Sequence, residues 1–412
     1  MSHILTADLD SAQSQSPVHR DDRCANGVGG VVIGGDYQGL GIARSLGRRG
    51  LPVCIIDDEH SISRYSRYAS HAVRVPSLRE ERETVDLILD VGRRFDLRGW
   101  VLYPTRDETV AALSKCRDVL SEWFRVPTPS WDSIRWVWDK RNTYALAHEL
   151  GIPTPRTWFP QNIDNLRRID GCFPLAIKPA IKEHFVYATK AKAWRANTPE
   201  ELEARFRQAA ALTPPGEIMV QDLIPGDGSH QFAYCAFFKQ GKPVGTLVAQ
   251  RCRQHPGEFG RASTFVQTVD MPELELLSER FLRAIDYYGL VELEFKRDPR
   301  DGEFKLLDVN ARTWGYHGLG AVAGTDFPYL LFTDQMGVHL QPSRARQGVT
   351  WLRLLTDLPV GVLGVMRGQL GLGPYLKSVF RSHTEAVFSL DDPIPGIADI
   401  ALVPYLIYKR GF

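Results

Sequence analysis

Apolar and polar residues alternate most regularly in two neighbouring stretches, and each alternation predicts a strand with one polar face. In Leu-Leu-Asp-Val-Asn-Ala-Arg (306 to 312) a period of two sends Asp308, Asn310 and Arg312 to one side and Leu307, Val309 and Ala311 to the other. Gly289 to Lys296 repeats the arrangement, with Glu292 and Glu294 opposite Val291, Leu293 and Phe295. The intervening Arg-Asp-Pro-Arg-Asp-Gly (297 to 302) is turn chemistry, so a hairpin is predicted that brings Glu294 beside Asp308. Two carboxylates and the amide of Asn310 form an incomplete set of hard oxygen ligands, which suits magnesium, or manganese, when the ion must also hold phosphate oxygens. The competing reading is an amphipathic hairpin whose charged face meets solvent.

Elsewhere the pattern divides the chain into segments. Residues 1 to 27 are rich in Ser, Asp and Gln without a period and read as a disordered leader. Val31-Val32-Ile33, a glycine turn, the helix from Ile42 to Arg49 and the strand Pro52 to Asp57 make a βαβ unit, the start of a doubly wound sheet over 28–125. Gly35, Gly39 and Gly41 do not fit Gly-x-Gly-x-x-Gly, so a nicotinamide or flavin site is poorly supported. Thr105 and Asp107 follow a later strand and read as caps of the next helix, with contact to a cleft as the alternative. A proline-rich linker from Pro127 leads to a helix containing Trp131, Trp136 and Trp138 and to a second domain over 126–342, closed by a helix over Thr325 to Val338. The extension 343–412 has no readable role; its end, from Ile400, could lie on a membrane surface, but Pro404 favours a packed segment.

Composition narrows the function. A chain of 412 residues with 43% apolar and 24% charged residues is ordinary for a soluble multidomain protein, and a net charge of +1 argues against a nucleic-acid partner. Six scattered cysteines without Cys-x-x-Cys suggest neither zinc nor disulfides, which fits the cytoplasm. No apolar run is long enough for an integral membrane segment.

Four motifs in order resemble the ATP-grasp superfamily: Asp139-Lys140 opening a helix that ends at Gly-Ile-Pro-Thr-Pro (151 to 155); Lys178 in Phe-Pro-Leu-Ala-Ile-Lys-Pro-Ala; Val-Gln-Asp-Leu-Ile-Pro-Gly (220 to 226); and the Glu294, Asp308, Asn310, Arg312 set, in which Asp308 stands where the superfamily usually has Glu. The resemblance implies an α/β chain: an N-terminal doubly wound domain, a two-lobed α+β nucleotide domain and a short C-terminal extension. It further implies ATP and magnesium as cofactors, with Glu294, Asp308 and Asn310 as metal ligands. Lys140 and Lys178 would be phosphate lysines, and Gln221, Asp222, Leu223 and Ile224 the segment that reads adenine. His230, or Asp227, would reach the ribose, a solvated turn being the alternative for His230. The implied reaction joins a small-molecule carboxylate to an amine through an acyl phosphate, giving ADP and phosphate.

The remaining candidates follow from residue type. Arg251 and Arg253 share one face if their strand continues, and with Arg312 they are the catalytic candidates for a carboxylate or acyl phosphate. Where relatives carry a glycine-rich loop over the phosphates, residues 181 to 192 contain no glycine, so Lys182, Lys190 and Lys192 are read as side-chain clamps or as solvated lysines. Trp314 and His317 read as lining for the acceptor pocket or as core. Asp-Val-Asn-Ala-Arg with the Asp-Asp-Pro-x-Pro tail is similar to a bacterial branch with amino-acid ligases of cell-envelope and polysaccharide pathways. A non-catalytic nucleotide-binding protein of the same fold is the alternative function, and a homodimer is one expectation for assembly.

Overall fold

The computed structural model describes residues 27–182, 185, 189, 191–256, 259–260 and 262–410, so the leader read over 1 to 27 lies outside the described residues except at Gly27, and Lys190 lies outside them too. Four short parallel strands, β1 (Gly30–Ile33), β2 (Val53–Asp57), β3 (His71–Arg74) and β4 (Val101–Pro104), form the first sheet in the order β3-β2-β1-β4. Every residue of β1, β2 and β4 is buried, as expected where helices cover both faces. The chain leaves β1 for β2 and β3 on one side and returns to β4 on the other, which opens a crevice at the strand ends between β1 and β4.

A second sheet is antiparallel, with β5 (Thr157–Trp158), β6 (Leu175–Pro179), β7 (Trp194–Ala196) and β8 (Ile218–Asp222) in the order β5-β8-β6-β7. Beside β7, Thr198 caps the helix Pro199–Ala210 by accepting from the Glu201 N–H, and Glu201 reaches back to the Asn197 N–H. The third sheet carries the polar hairpin. Its strands β9 (Gln231–Lys239), β10 (Lys242–His255), β11 (Ala262–Thr268), β12 (Gly289–Arg297) and β13 (Phe304–Asn310) run β13-β12-β9-β10-β11.

The extension is part of that sheet: β14 (Ser343–Arg344) pairs with β10, β15 (Thr350–Leu352) with β11, and β16 (Thr384–Glu385) with β15. The tail motif then clasps the first helix, Tyr37–Gly47. Buried Asp392 accepts from Arg44 Nε (3.0 Å), Ser66 Oγ (2.7 Å) and the Arg67 N–H (2.9 Å), while Asp391 takes Arg48 and Tyr68. Among the described residues five cysteines are free, and no helix is long and apolar enough to cross a membrane.

Candidate functional site

The hairpin forms in the predicted register, with Glu294 opposite Asp308 and Glu292 opposite Asn310. Its polar face is closely bonded. Asn310 Nδ2 donates to Glu292 (3.0 Å) and Glu294 (3.1 Å), and Tyr316 Oη donates to Glu292 (2.6 Å). Arg251 lies 2.7 Å from Glu294 and 3.8 Å from Glu292. One expectation fails, because Leu307 does not join the core. The ladder shifts between Glu294 and Phe295, so Phe295 pairs with Leu306 and Leu307 becomes the extra residue of a bulge. Leu306 and Val309 enter the core, and Leu307 lines the cavity beside the second sheet.

The first sheet contributes Asp107, which does not act as a cap. Asp107 opens the helix Asp107–Lys115 with no side-chain cap at its N-terminus, and its carboxylate takes Arg312 Nε at 2.6 Å and the Lys182 ammonium. Thr105 instead donates to the Ile33 carbonyl (3.0 Å). Burial would push the Asp107 carboxyl up, but Arg312 and Lys182 hold it well below the usual carboxylate range. Lys140 is the first residue of a helix capped by Asp139, and its Nζ reaches Asp308 Oδ1 at 2.5 Å. The cleft contact, the alternative reading for Asp107, is the one realised, with a partner, Arg312, 205 positions away.

Between the second and third sheets lies a cavity of about 360 Å³, lined by Gln221, Asp222, Leu223, Ile224, Lys178, Ala176, Gln231, Lys296 and Leu307. Its volume is that of a small-molecule pocket. The sequence reading missed Lys296, whose Nζ donates to the carbonyls of Ile224 (2.8 Å) and Gly226 (2.7 Å) and so fixes the backbone of the 221–226 segment, the hinge between β8 and β9. Lys178 donates to Tyr144 Oη at 3.2 Å and lines both this cavity and the next. His230 sits behind Gly226, at the edge of the cavity. Its ring pairs with Asp227 at 3.2 Å in an exposed turn and is not part of the cavity wall.

Arg251 and Arg253 separate. The β10–β11 ladder shifts on either side of Arg253, so Arg251 pairs with Val266 and Arg253 with Phe265, leaving Cys252 as the extra residue. Arg251 therefore enters the site, whereas Arg253 turns to a buried Asp357, bonded at 2.8 Å through both Nε and Nη2, and lies over the Phe265 ring. The expectation that Arg253 works beside Arg251 is corrected by this placement. Trp314 and His317 belong to the core: Trp314 is fully buried, and His317 Nε2 donates to the Gln38 carbonyl at 3.0 Å. Their neighbours Gly315 and Tyr316 instead line a separate cavity, shared with Arg251 and Arg312.

The cavities adjoin one another through shared walls. Lys178, Gln231 and Leu307 join the hinge cavity to a middle one of about 130 Å³, walled by Lys140, Lys182, Lys192, Arg251, Glu294 and Asp308. That space shares Lys182, Lys192, Arg251, Glu294 and Asp308 with a third of about 200 Å³, which adds Glu292, Asn310, Arg312 and Gln38. Gln38 also borders a fourth, at the ends of β1, β2 and β4. Charge along the cavities is tuned by burial. Burial pushes the Lys192 ammonium down to about 8, only partly offset by Glu294. Burial and the neighbouring Glu294 push Glu292 up. Burial opposes ionisation of Glu294 also, but Arg251 and Lys192 win and hold it down.

The donor set fits magnesium. Glu294 and Asp308 face each other across the hairpin, two hard carboxylate donors of the kind that ion takes together with phosphate oxygens. Asn310 Oδ1 accepts from Arg312 Nη2 at 3.2 Å, so its amide must turn to offer that oxygen to an ion.

No protein-family profile matches the chain. Its sequence is 25% identical over 301 residues to D-aspartate ligase of Enterococcus faecium (strain Aus0004), covering 68% of this chain and 70% of that protein. Among solved structures it resembles the L-amino acid ligase of Bacillus licheniformis, with a TM-score of 0.58 and 16% identity over 75% of this chain and 74% of that one. The biotin carboxylase domain of Hydrogenobacter thermophilus 2-oxoglutarate carboxylase, solved with MgADP and bicarbonate, gives a TM-score of 0.61 and 15% identity over 78% and 73% of the two chains. At these identities the structural likeness speaks for the fold.

Proposed function

We propose, on the premise that the chain belongs to the ATP-grasp superfamily, that it is an ATP-dependent carboxylate–amine ligase. The observation that carries the reading is the series of adjoining cavities from the hinge through the lysine-lined space to Arg312 and the first sheet. Adenine lies against the hinge backbone held by Lys296. Lys140, Lys178 and Lys192 line the polyphosphate as cationic donors. Glu294, Asp308 and the turned Asn310 amide would hold magnesium, which would neutralise phosphate charge when bound.

A carboxylate oxygen of the first substrate attacks the γ-phosphorus and ADP leaves. Arg312, fixed by Asp107, and Arg251, fixed by Glu294, face the three oxygens on which charge builds. The amine then attacks the acyl phosphate and phosphate departs, which replaces a poor leaving group by a good one. The cavity beyond Gln38 is lined by Asp36, Glu59 and Asp57, the last paired with Arg106 at 2.6 Å, and its place next to the third cavity suits it to an acceptor substrate. The polar set Glu294, Asn310 and Arg312 favours catalysis over passive nucleotide binding.

The likeness of Asp-Val-Asn-Ala-Arg and the Asp-Asp-Pro-x-Pro tail to cell-envelope and polysaccharide amino-acid ligases supports a product in such a pathway, made on the cytoplasmic side, where ATP is available. The test is phosphate release from ATP and magnesium with pooled carboxylic acids, D-aspartate among them, against pooled amines, with mass detection of the amide. Phosphate release that needs both substrates is expected. ATP binding with no turnover in any combination would return the chain to the non-catalytic reading.

A further inference from the structure

The extension presents an apolar surface that the reaction does not use. Seven large apolar side chains between Leu358 and Phe380 are exposed, against six in all the described residues before them; Met366 is 78% and Phe380 81% exposed. Single exposed apolar residues are normal, but a cluster of this density marks an interaction surface. It is built on a helical hairpin, Leu354–Met366 and Leu372–Phe380. The inner side of the hairpin is fully used: a Cβ at Gly361 would meet the Tyr375 ring at 2.0 Å, Tyr375 is buried against Arg253, and Arg253 holds Asp357. Apart from Thr356 and Asp357, the first helix is apolar, glycine or proline around its whole circumference. Such a helix belongs inside a protein or at a lipid boundary, and here it lies outside.

We propose that this hairpin docks the protein on a membrane surface containing anionic phospholipid. Charge chooses the occupant. From Leu358 to Arg381 the only charged residues are Arg367, Lys377 and Arg381, all exposed, and no acid occurs. A layer of anionic headgroups complements a cationic rim around apolar side chains. A second copy of the chain in a two-fold contact would set the same cations against each other. The 13-residue first helix is too short to span a bilayer, so the hairpin lies in the interface plane.

Flotation of the full chain with vesicles of phosphatidylcholine alone, and with an equal mixture of phosphatidylcholine and phosphatidylglycerol, tests this. The chain is expected to float with the mixture, less so at high salt, and not with phosphatidylcholine alone. Met366→Ser with Phe380→Ser, and separately Arg367→Glu with Lys377→Glu and Arg381→Glu, should each lower partitioning by at least about a hundredfold. The side chains are exposed, so both variants should keep the parent's melting temperature. Absence of flotation, or flotation unchanged in both variants, overturns the proposal. A concentration-dependent dimer that Met366→Ser with Phe380→Ser dissociates, without vesicle binding, assigns the surface to a second copy instead.

Discussion

Arg312 Nε donates to Asp107 Oδ1 at 2.6 Å, so the end of the polar hairpin is locked to the first helix after β4 by a pair 205 positions apart in the chain. Asp107 also holds the Lys182 ammonium, and Arg312 Nη2 reaches Asn310 Oδ1 at 3.2 Å. One carboxylate therefore sets the position of Arg312, the arginine proposed for the reaction centre, and of a lysine from the glycine-free loop.

Asp107→Asn keeps the shape but removes the charge that orients both cations. Turnover should fall at least about tenfold, since a misplaced positioning group costs rate even where binding persists. ATP affinity, measured by titration, should hold or tighten, because Lys182 is released toward the phosphates. Unchanged turnover would make Asp107 a purely structural partner.

Asp308→Asn and Glu294→Gln should both cost turnover by at least about a hundredfold, each removing an anionic ligand from the magnesium set. They should differ in stability. Glu294 neutralises the buried Arg251 at 2.7 Å, so its loss should cost about 3 kcal/mol, whereas Asp308 pairs with Lys140 at a more open position and should cost less. Denaturant titration of the two variants separates the effects.

Arg253→Gln should do the reverse of Arg251→Gln. With Arg253 gone, Asp357 is left fully buried and unpaired, so stability should drop by about 3 to 5 kcal/mol while folded enzyme turns over normally. Arg251→Gln should abolish turnover. A catalytic loss in Arg253→Gln at a temperature where it is fully folded would restore Arg253 to the site.

The two bulges explain where period-two reasoning stopped. Alternation placed Glu292, Glu294, Asp308 and Asn310 on one face and in register, because both strands are regular there and one face packs on Phe295, Leu293 and Val309. It misplaced Leu307 and Arg253, since one extra residue in a strand inverts every side chain beyond it and leaves no compositional trace. The partners of Asp107, Lys296 and Asp392 were out of reach for another reason. They are set by how the sheets pack, over separations that no local period spans.

Lys192 should give ATP binding a pH dependence. Burial holds its folded pKa near about 8, below the ordinary lysine value, and a bound polyphosphate raises it. Above about pH 8 the free protein has lost this proton and must regain it on binding, so affinity should fall by up to about tenfold per pH unit as pH rises further. Calorimetry in buffers of different ionisation enthalpy should show proton uptake approaching one at about pH 9 and near zero at about pH 7. Lys192→Gln should abolish the uptake; uptake that persists in it would locate the titrating group elsewhere.

Arg312→Lys tests the reaction centre most directly. The guanidinium spans three groups: Nε and Nη2 reach Asp107, at 2.6 and 3.3 Å, Nη2 also reaches Asn310, and Nη1 reaches the Thr313 carbonyl at 3.3 Å. An ammonium carries the same charge but cannot hold both Asp107 oxygens and still present a planar pair of donors to a transferring phosphoryl group. If charge alone mattered, the change would be mild. Acting on the transition state, Arg312→Lys should lower turnover about a hundredfold with little change in ATP affinity, because a loss confined to turnover marks an interaction made at the reaction step. Phosphate release at saturating ATP, set beside equilibrium ATP titration of the same variant, gives the two quantities. An ATP affinity that falls in step with turnover would put Arg312 on the ground-state nucleotide and leave Arg251, across the same cavity, as the arginine at the developing charge.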